Sequence, residues 1–174
     1  MPFFTIGHSD HPLDEFVRLL TDAGASAVCD VRKMPGSRRN PQFGEDVLAE
    51  ALPASGIRFL RLPELGGLRS RAAGVPPDVN GLWRNRSFHN YADHALSDAF
   101  RAGLQALRGL REENPAVMCA EAVWWRCHRR IVADHLLGAG EEVVHIMPDG
   151  RLDAARLTPG AAVGAGGVVT YPAA

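Results

Sequence analysis

Short apolar runs and helical apolar periods alternate along this chain. A strand-like run at 3–6 is broken by Gly7-His8-Ser9, and residues 12–23 then repeat apolar side chains at helical spacing through Leu13, Phe16, Val17 and Leu20. Pro12 suits a first helical turn and Gly24 a stop. A second strand-like run at 27–31 completes a strand, helix, strand unit within the first thirty or so residues.

The pattern then loosens. Residues 32–43 hold two prolines, a glycine and four basic side chains and predict an irregular loop, followed by a helix over 44–52 and a third strand over 57–62. From 63 to 88 no period holds, as expected of a functional excursion. Helical spacing returns over 90–111 through Ala95, Ala99, Leu104, Leu107 and Leu110, then a strand at 116–119, a helix at 127–137 and a strand at 142–147. The order predicts a single three-layer α/β domain, with a mostly parallel central sheet and helices on both faces. Residues 1–150 form the compact domain in this reading, and 151–174 a Gly/Ala/Pro-rich C-terminal extension whose 161–169 stretch is expected to be partly disordered or packed at an edge.

Composition narrows the class. With 46 % apolar residues, 22 % charged residues and a formal charge of -1, the 174-residue chain reads as one globular domain. No run approaches the length of a membrane span and the amino end lacks a signal-peptide pattern, so a cytoplasmic protein without membrane contact is expected. Between 32 and 86 there are ten basic residues against five acidic ones, which would steer a phosphate-bearing small molecule or nucleic acid if they share a face. Lys33 is the single lysine, which argues against Schiff-base chemistry. Cys29, Cys119 and Cys127 lack structural-zinc spacing and are read as free thiols. No cofactor motif is present, since IGHSDH lacks the dinucleotide glycine pattern, and the oligomeric state is not specified.

The densest chemistry lies at 116–137, AVMCAEAVWWRCHRRIVADHLL. In a parallel sheet, residues after the strands gather at one edge: His8 and Ser9 after the first, Asp30 and Arg32 after the second, Cys119 and Glu121 after the fourth. Glu121 and Asp30 are candidate acid and base groups, or else ion-pair partners of Arg32 and Arg129 that hold loops. Cys127 and His128 open a helix whose dipole favours a thiolate, although neighbours on a helix diverge, which makes them a poor thiolate–imidazole pair. Cys119 is expected in the core. Arg32, Arg129 and Arg38 are candidate anion ligands, Tyr91 a ligand contact through its hydroxyl, and Trp125 or Trp124 a stacking surface. A metal cluster drawn from Cys119, Cys127, His128 and Glu121 or His8 has irregular spacing, and no metal site is assigned.

TIGHS at 5–9, DVR with PGS at 30–32 and 35–37, ELGG at 64–67, FHNYA at 88–92 and MCAE with CHR at 118–121 and 127–129 together resemble the bacterial and archaeal family called domain of unknown function 488. The likeness spans roughly 3–147, with a departure at Val123-Trp124-Trp125, where the family carries a proline nearby. It implies an α/β domain with a polar centre built from these motifs, and no established activity. Three functions are therefore weighed: a hydrolase-like or transferase-like enzyme acting on a phosphate-bearing nucleotide, nucleoside derivative or nucleic acid; a noncatalytic nucleotide or nucleic-acid binding module; and a structural or regulatory α/β protein.

Overall fold

In a computed structural model, which describes residues 1–36 and 38–173, the chain forms the α/β architecture expected from the pattern. Ser37, the last residue of the PGS motif, lies outside the described residues. β1 (Phe3–Gly7), β2 (Ala27–Asp30), β3 (Arg58–Arg61), β4 (Pro115–Cys119) and β5 (Val143–Ile146) are parallel, and β6 (Leu152–Ala154) joins β5 antiparallel at one edge. Their order in the sheet is β3-β2-β4-β1-β5-β6.

Side chains alternate across the strands and feed two cores. Phe4, Ile6, Val28, Ala116 and Met118 pack on α1 (Leu13–Ala23) and α2 (Glu45–Ala54) through Phe16, Leu20, Leu48 and Leu52. Phe3, Cys29 and Val117 face the other way, onto α3 (Arg86–His94), α4 (Asp98–Arg108) and α5 (Arg129–Gly138), through Tyr91, Phe100, Leu107, Ile131 and Leu136. Burying each large apolar side chain contributes about 1.5–3 kcal/mol. Both faces of the central strands are covered, which is why their apolar runs are nearly continuous.

Two expectations change. The helical period over 90–111 is two helices: Asn85 Oδ1 accepts from the N–H groups of Ser87 and Phe88 and starts α3 early, while Ser97 Oγ accepts from Phe100 N–H and starts α4 afresh. The stretch at 161–169 holds a two-stranded hairpin of β7 (Ala162–Val163) and β8 (Val169–Thr170). Beyond it Tyr171 is fully buried, its hydroxyl donating to Asp134 Oδ2 (2.7 Å) and its N–H to Asn80 Oδ1 (3.0 Å). Asn80 in turn donates to Asp93 (2.7 Å), so the tail, the irregular excursion and α3 are fastened together.

Candidate functional site

The connections leaving β2 and β4 run in opposite directions. β2 leads to α2 on one face and outward to β3, whereas β4 leads to α5 on the other face and across to β5. A crevice opens between two such loops at the carboxyl ends of parallel strands. A cavity of about 460 Å³ lies there, walled by Arg32, Lys33 and Met34 after β2, by Cys119, Ala120, Glu121, Arg126, Cys127 and His128 after β4, and by Gly67, Leu68, Asn85, Ser87, Phe88 and Tyr91 from the excursion and α3.

The loop after β4 lies close across the end of β1. His8 N–H donates to Cys119 O (2.9 Å) and Ser9 N–H to Ala120 O (3.0 Å). Any side chain at Gly7 would collide with the Glu121 carbonyl, which explains glycine in TIGHS. Gly67 of ELGG has a similar reason: a Cβ there would sit 2.8 Å from His128 Nδ1.

Asp30 is fully buried and takes both oxygens to Arg32, from Nε (2.9 Å) and Nη2 (2.8 Å), with the Arg32 N–H adding a third bond (3.0 Å). Arg32 Nη1 donates to Phe43 O (2.8 Å) and lies 3.3 Å from His8 Nε2. His8 Nδ1–H donates to Ser9 O (2.8 Å), so Nε2 is free to accept from Arg32; burial, the largest influence, holds this imidazole neutral by lowering its pKa. His8 also stacks on Phe43 at 4.4 Å. This group fixes the loop after β2, and only Arg32 of its members reaches the cavity wall.

The β4–α5 loop is the reactive side. Glu121 and Arg126 are exposed, line the cavity, and have no side-chain hydrogen bond or ion pair among the described residues. Cys127 Sγ lies 3.6 Å from His128 Nδ1 and accepts from Arg129 N–H at 3.5 Å. The helical divergence expected for this pair does not apply, because Cys127 is extended and His128 is the cap, so both precede the first full turn of α5. Burial lowers His128 to about 4, leaving it neutral. Burial and the neighbouring Cys119 push the Cys127 thiol up. Burial also works against a Cys119 thiolate, but the Cys127 thiol, the Arg129 guanidinium and a backbone bond from Glu121 outweigh it, and the net shift is down.

Arg129 is buried beneath this loop. Its Nη2 donates to Glu121 O (3.1 Å) and Ala122 O (3.3 Å), while Nε and Nη1 are enclosed without a partner, and no carboxylate pairs with it among the described residues.

Of the residues singled out from sequence, Arg32, Tyr91, Glu121, Cys127 and His128 therefore meet at the cavity. Asp30, His8, Ser9 and Arg129 stand behind it, and Arg38 and Trp125 are exposed outside its wall. The Tyr91 hydroxyl donates to Leu65 O (2.7 Å), so this side chain presents its ring rather than its oxygen. Trp124 stacks on His145 (4.6 Å) beneath Arg130, with Trp125 edge-on to it. Cys119, expected in the core, is on the cavity wall together with Lys33 and Arg126. Its place one residue before the loop was the available signal. No three His, Cys, Asp or Glu side chains converge as metal ligands among the described residues.

Fold and crevice define an α/β protein of the open-sheet type, with its site at the point where the strand order reverses. The model of the family described as domain of unknown function DUF488 matches residues 12–136, more than half of the chain, and the protein belongs to that family. No curated protein and no solved structure matches it. No helix among the described residues is long and apolar enough to cross a membrane.

Proposed function

We propose that the protein is a transferase-like or hydrolase-like enzyme acting on a small phosphate-bearing molecule held in the β2/β4 cavity, in a cytoplasmic setting that keeps its three thiols reduced. The observation that carries this reading is one cavity edged by an unpaired carboxylate, Glu121, and an unpaired guanidinium, Arg126, with Lys33 on the opposite wall. Arg126 and Lys33 hold the anion. Glu121 moves a proton or orients water, as a solvent-accessible carboxylate can at neutral pH. Asp30 acts one step removed, holding Arg32 in place.

Calorimetric titration with inorganic phosphate and nucleoside monophosphates at low salt, alongside a turnover screen of phosphate esters, tests it. The double variant K33A/R126A is expected to weaken binding by about tenfold or more, equivalent to about 1.4 kcal/mol. E121Q is expected to bind normally and to lose about a hundredfold in turnover, the lower range for a general acid or base. Binding without conversion of any ester would instead make this a binding module. Absence of binding at low salt would overturn both.

A further inference from the structure

The pair Cys119 and Cys127 is not explained by anion binding. They close the two ends of the β4–α5 loop, both face the cavity, and they are coupled through their thiols. Beneath them Arg129 is a buried cation with two unpartnered nitrogens and no carboxylate. An uncompensated buried charge is costly, and a thiolate at Cys119 compensates it. Cys127 has the opposite surroundings: its sulfur lies against the neutral His128 ring at 3.6 Å, where a thiol is the stable form.

We infer that Cys119 and Cys127 form a dithiol–disulfide couple, with Cys119 the attacking thiolate toward a small carboxylate-bearing disulfide and Cys127 the thiol that resolves the adduct. Cys119 attacks one sulfur of the substrate, a Cys119–S bond forms, and the substrate S–S bond breaks with departure of a thiolate. That thiolate takes the Cys127 proton. Cys127 then attacks the Cys119 sulfur, the internal disulfide forms, and the second half of the substrate leaves as thiolate. The protein loses two electrons and the substrate gains them. Low pKa at the attacking sulfur and a high one at its partner is the asymmetry such exchange uses. Arg126 and Lys33 at the wall select a disulfide bearing carboxylates.

Cys29 supplies an internal standard. It is buried in β2 away from the cavity, and burial pushes its thiol up to about 12.

The reduced full chain is incubated with cystine, quenched with an alkylating agent, and analysed by intact mass and peptide mapping. In the wild type, a Cys119–Cys127 linked peptide is expected, with Cys29 reacting at least about a hundredfold more slowly, as its minute thiolate fraction requires. C127S should stop with cysteine attached to Cys119, and C119S should do neither. Uncharged hydroxyethyl disulfide should react more slowly than cystine. Far-UV circular dichroism melts establish that both serine variants are folded. Attack starting at Cys127 or Cys29, or a wild type that halts at the mixed disulfide, overturns the inference. The experiment contains no phosphate ligand, so its failure leaves the preceding proposal standing, and the reverse holds as well.

Discussion

Asp30 and Glu121 both follow parallel strands, yet the first is closed off by Arg32 at 2.8 Å and the second faces open cavity. Their substitution should separate support from chemistry. D30N removes the only anion paired with a buried guanidinium and is expected to cost about 3–5 kcal/mol in chemical denaturation. E121Q, at an exposed position without partners, should stay within about 0.5 kcal/mol of wild type. Equal stability losses in the two variants would contradict this division. The sequence put both carboxylates at one edge of the sheet. It could not rank them, because the bidentate grip of Arg32 depends on the chain turning back two residues after Asp30, with Phe43 O and His8 receiving the rest of the guanidinium.

Among elements, the sheet strands were the most legible and the 90–111 region the least. β1, β2 and β4 are buried on both faces, so their apolar runs stand out against the loops. The helical period across Ala95 and Ala99 survives the break between α3 and α4 because both helices pack on the same core, which preserves apolar spacing through the turn. The break itself is marked by Ser97-Asp98, a cap followed by an acidic first turn. S97A is expected to lower stability by about 1 kcal/mol, with the loss measured as a shift in the denaturant midpoint at unchanged slope. A neutral result would mean that packing of Phe100 and Leu107, rather than the cap, fixes where α4 begins.

At the scale of the whole molecule, burial of neutral histidines ties stability to pH. Burial lowers His128, His135 and His145 from the ordinary 6.5 to about 4. Between those values the unfolded chain binds protons that the folded chain refuses, so their contribution is complete above about pH 6.5 and is lost as pH falls toward 4. For the well-buried His135 and His145 the slope reaches up to about 1.4 kcal/mol per pH unit each. Asp134 opposes this: burial raises its pKa, so it favours the folded state at low pH and loses that contribution as pH rises through the folded value. Guanidinium unfolding at about pH 7.5 and about pH 5 should show lower stability at the acid end, and a flat profile would mean that these rings are hydrated in the native state.

Apolar periodicity by itself determined the alternating elements, the parallel sheet with helices on both faces, and the edge where polar residues collect, because each depends on local spacing and on which faces meet the core. The tertiary structure alone decided that Cys119 faces Cys127 and that Arg129 lies unpaired beneath them. It also brought Lys33 and Arg126 to one cavity and drew Tyr171 into the core from a tail with little apolar signal. Those contacts join residues distant in sequence, and their geometry follows from strand order and the path of the loops, which hydrophobic spacing does not encode.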